Sequence, residues 1–167
     1  MKKKILIALD GSECSRKAAE HVANVIGGRQ VFEVTLFHVC YDPPSLLEHG
    51  GSEDPNEERE LDARLHEKLT RWIERCREWV QEDIFTKAMK VFQDQGISDE
   101  AVTIRTKVSA EAQADAASCI IQEAKDGGYD AVVLGRHGAS ARREFLFGST
   151  SSKVIHHLDH CAVWIVS

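Results

Sequence analysis

Short apolar runs alternate along this chain with longer stretches in which apolar residues recur every three to four positions. The first run, Ile5 to Leu9, is uninterrupted and is closed by Asp10-Gly11. A strand covered on both faces reads this way, because neither side faces water. Ser12 stands where it can cap a helix. Glu13 to Ile26 follows, with Ala18, Ala19, Val22, Ala23, Val25 and Ile26 at helical spacing and Gly27-Gly28 as its stop. Val31 to Cys40 is rich in β-branched and aromatic residues and predicts a second strand.

Tyr41 to Asn56 carries three prolines and two glycines, the composition of a loop. The pattern predicts a flexible loop over 42–56 and a long helical segment over 57–95, where Leu61, Leu65, Leu69, Trp72, Ile73, Val80, Ile84, Ala88 and Phe92 keep helical steps. An unbroken helix of that length would outrun a small domain at about 1.5 Å per residue, so the segment is expected either to kink near Ile84 to Thr86 or to let its first turns protrude as a partner contact, with a helix curved around the core and loose at its start as the plainer reading. Gly96 closes the segment. Val102 to Val108 alternates as a third strand, and Ala110 to Lys125 reads as a helix capped by Ser109 and stopped by Gly127-Gly128. Asp130 to Leu134 is a fourth strand, Gly148 to His157 opens a last helix that ends near Leu158, and Ala162 to Val166 is a fifth strand. Strands and helices in strict alternation call for a parallel sheet with helices on both faces, in one domain spanning residues 1–167. Ligands of such sheets sit beyond the carboxyl ends of the strands, which selects Asp10 to Ser12, Val39 to Tyr41 and the segment from Gly135 onward.

Composition narrows the classes. With 43% hydrophobic and 29% charged residues, the 167-residue chain can bury a core without disulfides or metals. A formal charge of −6 repels phosphate backbones, so no nucleic-acid partner is expected. No apolar run reaches the length of a membrane span, and none after Met1-Lys2-Lys3-Lys4 continues as a targeting segment, so the expectation is a cytoplasmic protein. Five cysteines without a CxxC pair read as reduced thiols, with Cys14 the one nearest the expected site.

The chemistry concentrates after the fourth strand, in Gly135-Arg136-His137-Gly138, then nine residues, then Gly148-Ser149-Thr150-Ser151. Gly135 is expected to turn the chain sharply, and Gly138 to bring backbone N–H groups close to an anion. Gly148-Ser149 opens a helix whose first N–H groups are unpaired and partly positive. Ser149, Thr150 and Ser151 add hydroxyls. Together these make an anion site suited to phosphates.

This spacing resembles the nucleotide-binding signature of the ATP-binding branch of the universal stress protein family. Ile5 to Ser12 is similar to that family's first strand with its Asp-x-Ser end. Cys161 to Val166 is similar to its last strand, with Ala162 where a proline is usual. The resemblance covers the whole chain and is weakest over 42–95. It implies a Rossmann/flavodoxin-like three-layer sandwich with strand order 3-2-1-4-5. It implies ATP, AMP or ADP at the carboxyl edge, with Mg²⁺ or Mn²⁺ held mainly by the phosphates. Ala8, the Leu9 backbone, Asp10 and Ser12 would then lie on the adenosine side, and the Val39 backbone would hydrogen-bond adenine. Leu134, Gly135, Arg136, His137 and Gly138 would line ribose and phosphates, and Gly148, Ser149, Thr150 and Ser151 would hold the phosphate chain. The resemblance also implies a homodimer through the last strand, Ala162 to Val166.

Other residues carry weaker signals. One of Arg142-Arg143 could reach a terminal phosphate, or both could be a solvated loop pair. His137 could act on a phosphate or on water, but reads as a solvent-facing spacer. His156, His157 and His160 invite a metal reading, yet His156 and His160 share a face only if the helix continues past Leu158, and histidines in a last turn complement the helix dipole without a metal. Asp10 lacks the further acidic residues and closing lysine of a phosphoacceptor domain. The resulting reading is a nucleotide-dependent regulatory or stress-response binding module with an unidentified protein partner, with no catalytic residue and no protein-held metal expected. Two alternatives are a slow ATPase, using His137, Glu144 or a residue of 42–56 on the attacking water, and a nucleotide-free dimeric interaction module.

Overall fold

A computed structural model describes residues 2–41, 64, 67, 70, 71, 74, 75, 78, 80–109, 115–138 and 146–167. The expected loop over 42–56, Arg142-Arg143 and Glu144 lie outside the described residues. Five strands, β1 (Lys3–Ala8), β2 (Phe32–Tyr41), β3 (Val102–Ser109), β4 (Ala131–Gly135) and β5 (Ala162–Val166), form one parallel sheet in the order β3-β2-β1-β4-β5. Among the described residues, the α-helices with stated bounds are α1 (Glu13–Ile26), α2 (Thr86–Asp94), α3 (Ala116–Gly127) and α4 (Ser149–His157), and residues 64, 67, 70, 71, 74, 75 and 78 are helical as well. The expected Rossmann/flavodoxin-like α/β architecture and its strand order are both present.

The sheet alternation divides the core in two. Ile5, Ile7, Val34 and Leu36 face Ala18, Val22 and Ile26 of α1 and Phe85, Ala88 and Phe92 of the α2 region. Leu6, Phe37, Val39 and Val132 face Ala117, Ile120 and Ala124 of α3 and Val154 of α4. The central strands β1 and β4 are apolar on both sides because both sides are covered, which explains their uninterrupted runs.

Helix boundaries follow local chemistry. Ser12 caps α1 by accepting from the Ser15 N–H at 3.1 Å, and Gly27 ends it in the left-handed conformation at φ 53°. Gly128, at φ 61°, ends α3 the same way. The start of α3 corrects the sequence expectation: the cap is Asp115, not Ser109, because the Asp115 carboxylate accepts from the Ser118 N–H at 2.8 Å. Lys153 of α4 pairs with that carboxylate at 2.8 Å and holds its pKa below the ordinary value. Near Ile84 to Thr86, one of the places where the long segment could bend, a π-helical turn over Val80–Phe85 passes into α2, while most of the segment's first turns lie outside the described residues. The last helix stops at His157 with Leu158 extended, so His156 and His160 do not share a helical face. Among the described residues, no group of three or more metal-ligating side chains is brought together, and no helix is long and apolar enough to cross a membrane.

Candidate functional site

Two connecting segments converge beside the end of β2, where the order of strands reverses beyond the carboxyl ends of β1, β2 and β4. The first is the turn from β1 into α1. The Leu9 N–H donates to the Phe37 carbonyl at 2.8 Å, and Gly11 takes φ 78°, a left-handed turn that suits glycine alone. The Asp10 carboxylate accepts from the Ser12 N–H at 3.0 Å, and the Ser12 hydroxyl donates to the His137 carbonyl at 3.4 Å. The N-cap of α1 is thereby tied to the glycine segment after β4.

The second segment runs from β4 to α4. Gly135 is not a left-handed turn residue. Its role is steric: a Cβ there would lie 2.7 Å from the Cys14 carbonyl carbon and 2.7 Å from the Ser15 nitrogen. Gly135 lets the first turn of α1 press against the end of β4, a steric role beyond the turn expected from the sequence. At Gly138 a Cβ would meet the Asp10 Oδ2 at 2.8 Å, so this glycine makes room for a carboxylate. At Gly148 a Cβ would find only ordinary contacts from 3.5 Å outward. The Gly148 N–H donates to the Arg136 carbonyl at 2.9 Å, and this bond brackets the intervening residues. Gly148 then opens α4 with no side-chain cap.

These segments enclose a cleft of about 780 Å³, within the usual range of small-molecule sites, roughly 300–1,000 Å³. Of the expected residues, Ala8, Leu9, Asp10, Ser12, Val39, Leu134, Gly135, His137, Gly138, Gly148, Ser149, Thr150 and Ser151 all line it, and Arg136 does not. The Arg136 Nε instead donates to the Leu146 carbonyl at 2.6 Å, across the bracketed segment. Ser151 is buried, and its hydroxyl donates to the Gly135 carbonyl at 2.9 Å, so that proton anchors α4 rather than facing a ligand. His137 is half-buried rather than solvent-facing, and its Nδ1 is buried with no hydrogen-bond partner among the described residues.

The cleft also has lining residues that sequence reasoning missed: Ser15, Phe37, His38, Ala116, Ile120, Phe147 and Ser152. Phe37, Val39, Ile120 and Leu134 give the cleft an apolar lining shared with the α3 and α4 core, and Gly138 and Gly148 to Ser152 give it a polar one. Among the described lining residues, His38 is the one buried titratable group. Burial pushes its pKa below the ordinary histidine value, against the opposing pull of the Leu9 carbonyl and the Asp10 charge. Its Nδ1 lies 2.6 Å from the Leu9 oxygen, and its ring stands edge-on to Phe85 with centroids 6.5 Å apart. The available signal was its position: Val34, Leu36, His38 and Cys40 occupy one face of β2, and a histidine at a core-facing position asks for a partner.

The whole chain, residues 1–167, matches the model of the universal stress protein family. A universal stress protein of Synechocystis sp. is 28% identical, over 98% of this chain and 96% of that protein. Among solved structures, the hypothetical protein MJ0577 aligns with TM-score 0.61 and 26% identity over 99% of this chain and 96% of its own. Universal stress protein UspA from Lactobacillus plantarum aligns with TM-score 0.65 and 21% identity over 99% and 97%. The same fold is found in a universal stress protein in complex with cAMP, with TM-score 0.57 and 16% identity over 99% and 96%. It is found again in one from Archaeoglobus fulgidus in complex with dAMP, with TM-score 0.51 and 15% identity over 100% and 98%. By its family match along the full length, its strand order and its glycine segment, this chain belongs to the universal stress protein family.

Proposed function

We propose that this protein is an adenine-nucleotide-binding regulatory module that holds ATP or AMP in the carboxyl-edge cleft. The observation that carries the reading is the uncapped start of α4 lining a cleft that also has an apolar lining. An uncapped helix start offers unpaired N–H groups and the positive end of the dipole, which suit phosphate. An apolar wall suits a base. Phe37, Val39 and Ile120 would flank adenine, the Val39 backbone would bond its edge, and Leu9 and Asp10 would lie by the ribose. Leu134, Gly135 and Gly138 would follow ribose and α-phosphate, and Gly148, Ser149 and Thr150 would take the phosphate chain, with Mg²⁺ or Mn²⁺ carried by the phosphates. A nucleotide would also supply the partner that the buried His137 Nδ1 lacks among the described residues. Relatives of the same fold in complex with cAMP and dAMP support the choice of base.

Occupancy would be read by another protein, in the cytoplasm, from a homodimer built on β5. That strand ends the sheet, and Val163, Trp164, Ile165 and Val166 along it are only half-buried. An apolar edge of this kind calls for a cover. The test is calorimetric titration of nucleotide-stripped protein with Mg-ATP and with AMP, beside Gly138→Val. Binding by the wild type, lost in a variant whose circular dichroism is unchanged, is the expected result. A folded, stripped wild type that takes up neither nucleotide would overturn the proposal.

A further inference from the structure

The β1–β2 ladder ends in an unusual way, and its end falls inside the cleft. In a parallel ladder one residue reaches across with both its N–H and its C=O, to the residues before and after its partner. With Ala8 opposite Phe37, the Phe37 carbonyl accepts from the Leu9 N–H, as observed at 2.8 Å. The next rung of the same ladder would belong to Val39. Its N–H would donate to the Leu9 carbonyl, and its carbonyl would accept from the Gly11 N–H. Among the described residues neither bond forms. The chain has turned away at Gly11, at φ 78°, and the Leu9 carbonyl is taken instead by the His38 ring at 2.6 Å.

A carbonyl only accepts, so the ring nitrogen facing it carries the proton: Nδ1–H donates to the Leu9 oxygen. Burial against Phe85 and the apolar face of β2 keeps the ring neutral. The Leu9 peptide is held from both sides, by Phe37 through its N–H and by His38 through its carbonyl. Peptide groups along a strand alternate in direction, so the Val39 N–H and carbonyl point the way those of Phe37 do, into the space that β1 has vacated. That space is the cleft, which Val39 lines.

We propose that His38 is a positioning residue: by taking the Leu9 carbonyl it ends the β1–β2 ladder one rung early and leaves the N–H and C=O of Val39 open to the edge of a purine base. Without it the Leu9 carbonyl would seek the Val39 N–H, since a buried acceptor is costly to leave unpaired. The ladder would then close over the place where a base binds. This inference deepens the nucleotide reading of the cleft and rests on it for the ligand, but not for the ladder.

Two measurements separate the two. The first is amide hydrogen exchange in the nucleotide-free wild type. The Val39 amide is expected to exchange about 100-fold or more faster than the Phe37 amide inside the ladder, because exchange follows local hydrogen bonding. Equal protection of the two amides would overturn the inference, whatever the protein binds. The second is titration with AMP of His38→Val, whose replacement suits a strand, and of His38→Asn, whose amide can donate from nearly the same place as Nδ1. We expect His38→Val to lose about tenfold in affinity, or about 1.4 kcal/mol, with its Val39 amide newly protected. His38→Asn should stay within about threefold of the wild type, a rescue that general core packing would not produce. A folded His38→Val that binds AMP as the wild type does would overturn the inference. Wild-type protein that binds no AMP would remove the nucleotide reading while the exchange result still decides the ladder.

Discussion

Two strand-to-helix junctions meet at the cleft, and they are built on opposite plans. The β1–α1 junction is short and closed. Leu9 is bonded through its N–H and its carbonyl, Asp10 holds the Ser12 N–H, and Ser12 caps the helix and reaches the His137 carbonyl. The β4–α4 junction is long and open: Gly148 starts α4 with no side-chain cap, and Ser149 beyond it is exposed. Helix α3 across the cleft is capped by Asp115, so the missing cap is a property of α4 and not of the whole edge. Hydrogen-bonding capacity spent inside the protein positions groups, and capacity left unspent can receive a ligand. On the proposed reading, the closed junction is the frame and the open one is the receptor.

The harshest way to break this contrast is to damage the point where the junctions touch. Gly135→Ala would place a methyl group 2.7 Å from backbone atoms of Cys14 and Ser15, which cannot rotate away as a side-chain end can. Overpacking of this kind typically costs about 1–3 kcal/mol, and contact with backbone puts the expected loss at the upper end of that range. Urea unfolding followed by circular dichroism should show it. A midpoint unchanged from the wild type would mean that the close approach of α1 to β4 is not what Gly135 provides.

Much of this arrangement was legible in the amino-acid sequence, and the reasons differ by feature. The buried strands were readable because a strand covered on both sides must be apolar throughout, as Ile5 to Leu9 is. The capping of α1 by Ser12, and the stops at Gly27 and Gly128, were readable because those residue types solve a local backbone problem. The glycine spacing pointed to a segment that lines the cleft but not to what each glycine does. Whether a glycine serves a turn, as Gly11 does, or a close approach, as Gly135 does, depends on what packs against it from far along the chain. The same limit hid the outward turn of Arg136 and the inward bond of Ser151, whose partners are backbone carbonyls that no motif names. His38 was missed because the β-branched and aromatic run around it reads as ordinary strand, and its bond to Leu9 joins residues 29 apart.

The closed junction should also be the one that senses pH. The folded-state pKa of His38 lies below the ordinary value near 6.5, because burial disfavours the charged ring. Below the ordinary value the unfolded chain then binds a proton that the native state resists. The His38 contribution is therefore fully present above about pH 6.5, and is lost as pH falls toward the depressed folded value. Asp10, the charged group that acts on the ring, pulls the other way but does not prevail. His38→Asn carries no titrating group at this place. Urea midpoints measured from pH 7.5 down to pH 5.5 should fall more steeply for the wild type than for His38→Asn. Parallel slopes would remove His38 from the pH response and weaken the case for a buried neutral ring at the Leu9 carbonyl.

The gentlest change sharpens the contrast most, because stability and binding should move in opposite directions. Gly148→Ser gives α4 the cap that α1 and α3 already have. The site accepts a side chain: its backbone, at φ −67° and ψ 162°, suits any residue, and the nearest atoms to a new Cβ are 3.5 Å away. Serine in place of glycine at an N-cap is worth a few tenths of a kcal/mol, so the protein should become slightly more stable. The hydroxyl would take an N–H in the first turn that a phosphate would otherwise receive, and it would stand on the polar lining of the cleft. Affinity for Mg-ATP should therefore fall, by about tenfold, or about 1.4 kcal/mol, while the urea midpoint holds or rises. A variant that is more stable and binds Mg-ATP as tightly as the wild type would show that the uncapped N-terminus of α4 is not where the phosphates sit. One that loses both stability and binding would point instead to a steric role for Gly148 that the present geometry does not contain. The expected split would show that α4 gives up part of its own stability to keep its first turn open.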